Sequence, residues 1–269
     1  MAGSALPAST SFLTFIMSSV QLVRAYPCRV YQLGVSYNKG FHKLKQIPSN
    51  FDWRANGKVS PVKNQNRCNA CWAFSVIANI ESHRLIQLNQ NQILSEQYLI
   101  DCLPNSNGCG NTSLIKTFAH IVTDLGGVLQ EDDYYPYAEE KEACRHGTRD
   151  AALIPVIGFR RVYSDEDVMV QYLYLYGPLT AAINSKSMET YTNGIDEPTD
   201  DSCSPSHLNH AVLIVGYSAY IAPDTGKTTP YWIIKNSWGT KWGDNGFYYL
   251  VRGRNACGIA SDVSFAFVK

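Results

Sequence analysis

Hydrophobic and polar positions divide the chain into two textures. From Cys71 to Leu88 the apolar residues Phe74, Ile77, Ala78, Leu85 and Leu88 recur at helical spacing, which predicts a helix with one buried side. Leu94–Cys102 predicts a second helix, with Ser95-Glu96-Gln97 to cap it and Pro104 to close it. A third runs near Leu114–Leu125 and stops at Gly126-Gly127. Asn105–Thr112 is a Gly/Asn loop, and Glu131–Tyr137 and the stretch around Cys144 are surface loops. From Ile154 the pattern turns β-rich. One helix at Glu166–Tyr176 ends at Gly177-Pro178, followed by strands at Leu179–Ile183, His210–Tyr217, Tyr231–Lys235 and Gly246–Val251. A helical part (about 56–160) and a stranded part (about 161–265) predict an α+β fold of two lobes with a cleft between them.

Residues 1–46 carry no strong helical or strand period and read as a leader or linker. Within them Ser11–Val23 is apolar enough for the h-region of a signal peptide and too short to span a bilayer. With 45% hydrophobic and 17% charged residues over 269 positions, the chain has the composition of a folded protein. Its formal net charge is zero and it has no basic run, which argues against nucleic acid as a partner.

The expected helix at Cys71 places that thiol at a helix N-terminus, where free backbone N–H groups and the macrodipole favour an anion. A lowered thiol pKa, and with it a nucleophilic thiolate, is therefore expected there. Eight cysteines stand at 28, 68, 71, 102, 109, 144, 203 and 257. A reactive Cys71 leaves seven, and Cys28, in the compositionally distinct N-terminal part, is the natural odd one. The other six allow three bridges in fifteen pairings, and their number points to an oxidising compartment. Asn111-Thr112-Ser113 is the chain's one glycosylation sequon, usable on a secreted chain.

A thiolate nucleophile needs a base, and the base needs an orienting group. His42, His83, His120 and His146 sit in the leader, two helices and a charged loop, where structural or surface roles are expected. His207 lies in a Ser-Pro-Ser loop. His210 opens the strand His-Ala-Val-Leu-Ile-Val-Gly-Tyr, which would aim its ring from rigid backbone. Asn236, in Tyr-Trp-Ile-Ile-Lys-Asn-Ser-Trp-Gly, offers an amide oxygen to hold that ring; its bland alternative is a turn cap. Gln65, six residues before Cys71, offers an amide N–H to a developing oxyanion alongside the Cys71 backbone N–H. Two rival chemistries remain. A Cys68/Cys71 dithiol couple leaves His210 and Asn236 without work and has no βαβ setting. A zinc quartet of Cys68, Cys71, His207 and His210 has a gap too long for a finger.

Pro61-Val62-Lys63-Asn64-Gln65 followed by Cys68-Asn69-Ala70-Cys71-Trp72-Ala73-Phe74-Ser75 resembles the active-site segment of papain-like cysteine proteases. Asn209-His210-Ala211-Val212 and Lys235-Asn236-Ser237-Trp238-Gly239 are similar to that family's histidine and asparagine segments, in the same order. The resemblance covers about 47–269. It implies the two-lobed papain-like fold, with Cys71 as nucleophile, His210 as acid/base, Asn236 as orienter, Gln65 in the oxyanion hole and Trp238 covering the His–Asn pair. It also implies the bridges Cys68–Cys109, Cys102–Cys144 and Cys203–Cys257. No metal or organic cofactor is implied. The implied partners are peptide or protein substrates and cystatin-like inhibitors, with no membrane span, for a monomer in lysosomal or extracellular space.

The chain departs from the family pattern at Asn69, where a glycine is usual, and at Gly108-Cys109-Gly110-Asn111-Thr112, where further glycines let substrate approach the backbone. Asn69, Asn111 and Thr112 are therefore expected to narrow the substrate wall. Asp262, with Ala182 and Ala211, is expected to form a pocket accepting basic as well as apolar side chains at P2. The competing class is a protease-like binding protein whose cleft is too obstructed for turnover.

Overall fold

The computed structural model describes residues 46–145, 147 and 150–269. The leader, with its signal-like stretch, Cys28 and His42, lies outside them, as does His146.

In chain order the elements are β1 (Phe51–Asp52), α1 (Cys71–Gln87), α2 (Glu96–Cys102), α3 (Leu114–His120), β2 (Gly127–Val128), β3 (Ile154–Val162), α4 (Glu166–Tyr176), β4 (Leu179–Ile183), β5 (Ile195–Asp196), β6 (His210–Ile221), β7 (Thr228–Lys235), β8 (Phe247–Val251) and β9 (Val263–Val268). The caps follow from side-chain chemistry. Ser95 accepts the Tyr98 N–H at the start of α2, and Asp165 accepts those of Asp167 and Val168 at the start of α4. A π turn, Ile121–Leu125, continues α3 and closes on Gly126 at φ +76°.

The strands form one sheet ordered β2-β3-β9-β4-β6-β7-β8-β5, with β1 pairing β6; all pairs are antiparallel except β5 with β8. Two main cores flank the cleft. One surrounds α1, α2 and α3 and takes in Val128, Ile154 and, from the end of the chain, Ala266 and Val268. The other lies between α4 and the sheet, around Leu173, Ile214, Trp232, Tyr248 and Phe265, and collects Ile47, Phe51 and Trp53 from the start of the described chain.

Helix α1 differs from the amphipathic helix its spacing suggested. Cys71 through Arg84 are all buried, whereas Leu88 is exposed. Several of the polar residues inside are matched by distant partners, while the buried Ser82 hydroxyl has none among the described residues. Ser75 Oγ donates to the Val212 carbonyl (2.7 Å), Asn79 Nδ2 to that of Pro178 (2.8 Å), and the Ala266 N–H donates to Asn79 Oδ1 (2.9 Å). A buried polar group so paired does not incur the desolvation cost of an orphan, so the helix runs through the seam between the cores.

Candidate active site

Cys71 is the first residue of α1 and is buried with a free thiol. Cys68 bonds to Cys109 (2.07 Å), so the Cys-x-x-Cys spacing is neither a dithiol couple nor half of a metal quartet. Cys102 bonds to Cys144 and Cys203 to Cys257. His207 is exposed.

The opposite side of the cleft is set by strand register. His210 opens β6 opposite Ile183 of β4, and Asn236 follows β7, its N–H donating to the Gly246 carbonyl (3.0 Å). Asn236 Oδ1 lies 2.8 Å from His210 Nε2 and also accepts the Ser237 N–H at 2.8 Å. A backbone N–H requires an acceptor, so the second bond fixes which way the amide points. The oxygen then faces Nε2, which must carry the ring proton, and Nδ1 keeps its lone pair. Trp238 covers the imidazole, ring centroids 4.9 Å apart, and Trp242 packs edge-on against Trp238 at 5.0 Å.

Gln65 ties the two sides together. Its Oε1 accepts the Ser237 hydroxyl (2.7 Å), and its Nε2 donates to the Cys68 carbonyl (3.0 Å), leaving one N–H uncommitted among the described residues. Ser237 escaped the sequence reading, although its place directly after Asn236 is the clue. Behind the pair lies a buried ionic cluster that sequence reading also missed. Lys63 pairs with Glu96 (2.8 Å) and Glu81 (3.5 Å), Ser60 donates to Glu81, and Lys235 Nζ donates to Ser60 Oγ (2.9 Å). A glutamate inside the apolar run of α1 was the available signal. Burial pushes the Glu96 carboxyl up and the Lys235 ammonium down to about 8, while the opposing charges pull each back.

Burial dominates the reactive groups as well. It pushes the Cys71 thiol up to about 11, against the opposing pull of the Ala211, Trp72 and Cys71 amides. The His210 imidazole is pushed down to about 4, against the pull of Asn236. Desolvation of the buried sulfur thus works against the lowering expected from the helix terminus. Each group alone resists charging.

A cavity of about 250 Å³ is lined by Cys71, His210 and Ala211, by Ala182 and Asp262, and by Asn111 and Thr112 on the loop side. The loop is fastened by the Trp72 indole N–H of α1 donating to the Gly108 carbonyl (3.2 Å), and to the segment just before α1 by the Cys68–Cys109 bridge. Gly108 holds φ +59°, and a Cβ there would stand 2.6 Å from Lys141 Cβ, so glycine is required. The Thr112 hydroxyl is buried without a partner among the described residues. Asn69 is exposed and does not line the cavity, and Trp238 acts on the imidazole rather than on the cavity wall. Asp262 is partly buried, its carboxyl pushed up by burial, with Arg161 Nε 3.9 Å away.

Comparison with known proteins agrees with this geometry. The family model for "Papain family cysteine protease" matches residues 47–267. Cathepsin F of Drosophila melanogaster is 39% identical over 80% of the chain and 35% of its own length. Cysteine proteinase 15A of Pisum sativum is 40% identical over 81% and 61%, and cathepsin F of Mus musculus 38% over 82% and 46%. The chain therefore spans between about a third and three fifths of the length of these relatives. Among solved structures, digestive procathepsin L 3 of Tenebrio molitor superposes with a TM-score of 0.73 at 32% identity, over 84% of this chain and 72% of that one. Bromelain of Ananas comosus, in complex with the E64 inhibitor, gives 0.71 at 34% identity over 83% and 100%. With its fold, its three bridges and a match running through nearly every described residue, the chain belongs to the papain family of cysteine proteases.

Proposed function

We propose that the chain is a cysteine endopeptidase whose nucleophile is Cys71. The observation that carries this reading is the Asn236–Ser237 bond pattern, which commits Nε2 of His210 to Asn236 and leaves Nδ1 as a base in the same cavity as the one free thiol of the described residues. Cys71 Sγ attacks the peptide carbonyl carbon as its proton passes to Nδ1 of His210. The oxyanion is held by the Cys71 N–H and the remaining N–H of Gln65. The C–N bond then breaks, the amine taking the proton from His210 and leaving a thioester. Water attacks the thioester, gives its proton to His210, and releases the acid and the thiol.

Asp262, Ala182 and Ala211 line the non-primed side in this reading and admit a basic or apolar side chain at P2. The segment 231–269 is read as most similar to cathepsin O. Lysosomal or extracellular residence, monomeric state and inhibition by cystatin-like proteins belong to the same proposal. The test is labelling by a thiol-directed epoxide. One equivalent on Cys71, none on Cys71→Ser, and cleavage of peptides by the unlabelled protein are expected. A folded chain that neither labels nor cleaves is instead a binding protein, obstructed by Asn111 and Thr112.

A further inference from the structure

The Asn111-Thr112-Ser113 triplet is the chain's one Asn-x-Ser/Thr sequence. Its three side chains are disposed unequally. Asn111 and Ser113 are exposed and, among the described residues, their side chains make no hydrogen bond; Ser113 stands at the start of α3 without capping it. Thr112 between them turns its hydroxyl inward. The segment has no regular structure and follows directly on the Cys68–Cys109 bridge. The two groups that an oligosaccharyl transferase reads, the amide and the hydroxyl two residues later, are therefore presented outward on an anchored loop. That same Asn111 lines the cavity that holds Cys71 and His210.

We propose that Asn111 carries an N-linked oligosaccharide, and that this glycan stands over the loop side of the cleft and restricts which substrates reach Cys71. The amide Nδ2 gives up one proton and bonds to the anomeric carbon of an oligosaccharide carried on a lipid diphosphate, and the lipid diphosphate leaves. A glycan is hydrated, mobile and bulky. Placed on the rim it hinders a folded protein, which must lay a broad surface across both walls, far more than a dipeptide that occupies only the cavity. The site rests on passage through the secretory pathway, for which the bridges are the physical argument. The consequence for substrates rests on the peptidase reading.

The test uses the full chain expressed in cells with a glycosylating secretory pathway. Mass spectrometry of the Asn111 peptide reads the modification, and conversion of Asn111 to Asp on amidase release confirms its attachment. The kcat/KM ratio of a folded protein substrate to a fluorogenic dipeptide reads the gate. That ratio should rise about ten-fold both on enzymatic deglycosylation of the native protein and in Ser113→Ala, which keeps Asn111 but removes the sequon. Because deglycosylation acts on protein already folded, a folding defect in the variant does not blunt the test. Unmodified Asn111 in the recovered protein overturns the site. A glycan whose removal leaves the ratio unmoved overturns the gate. A glycosylated chain that cleaves neither substrate removes the gate together with the peptidase reading, while the modification stands on its mass.

Discussion

The two walls of the cleft are built by different means. On one, His210 and Asn236 stand at the ends of the neighbouring strands β6 and β7, where antiparallel register sets each Cα and every polar atom that orients the imidazole comes from the sheet or its first turn. On the other, Asn111 and Thr112 sit on an irregular loop held only at intervals, by one disulfide, one indole hydrogen bond and a glycine that no other residue replaces. Register errors in a sheet flip every side chain, so the chemical wall tolerates little change. A surface loop accepts substitution as long as its anchors hold. The departures at Asn111 and Thr112 accordingly fall on the loop wall, whereas the His210–Asn236 pair stands on the sheet wall.

The harshest way to break the comparison is His210→Ala. On the proposed mechanism it removes the base and leaves the loop wall intact. The expected result is a loss of roughly 10⁴-fold or more in kcat/KM, with KM for a dipeptide substrate changed far less. A loss confined to KM would mean that His210 shapes the pocket instead of moving a proton.

A second buried histidine sharpens the point at smaller cost. His83, in α1, hydrogen bonds through Nε2 to the Pro178 carbonyl (3.0 Å) and stacks on Phe265. Burial pushes its pKa down to about 4, as for His210, yet it lines no part of the cavity around Cys71. A histidine whose folded pKa is depressed contributes stability that is full above its unfolded pKa of about 6.5 and is lost as pH falls toward about 4. For a fully buried group that loss amounts to roughly 3 kcal/mol. His83→Gln, which keeps a donor for Pro178, should therefore narrow the drop in Tm between pH 7 and pH 4 while peptide cleavage at pH 7 persists. An unchanged drop would assign acid sensitivity elsewhere. What separates the two histidines is not burial but the cavity and the amide oxygen that faces His210.

These two residues also mark how far the sequence is legible. Helices α2 and α4, the strand cores of β4, β6, β7 and β8, and the placing of Cys71 at a helix start all rest on local signals: the Ser95 cap, the Gly177-Pro178 stop, helical spacing, and short apolar runs between turns. The terminal strand β9 was not foreseen, because Val263–Val268 becomes a strand by pairing with β3 and β4, whose paired residues lie far away in the chain, as in Val156 with Val268 and Ala181 with Val263. The all-round burial of α1 was hidden for the same reason, since Ser75 and Asn79 find their partners across the fold. The opposing effect of burial on the Cys71 thiol was hidden because a helix terminus is visible in sequence and the burial of the sulfur is not.

The smallest effect lies where the walls face each other. Asp262 lies immediately before β9 and supplies its carbonyl to the Ala182 N–H (3.0 Å), which fixes its backbone on the sheet wall. Among the described residues its carboxylate has one cation near it, Arg161 Nε at 3.9 Å, on a side chain that is mostly exposed. Such a pair is worth at most about 1 kcal/mol, so it partly neutralises Asp262 without removing it as a partner for substrate. Arg161→Gln should therefore raise kcat/KM for Arg over Leu at P2 by about two- to five-fold. Asp262→Asn should erase the Arg preference in either background, because the charge that selects is then gone. If Asp262→Asn leaves the Arg-to-Leu ratio where it was, the carboxylate is a surface charge and P2 selection belongs to the loop wall instead.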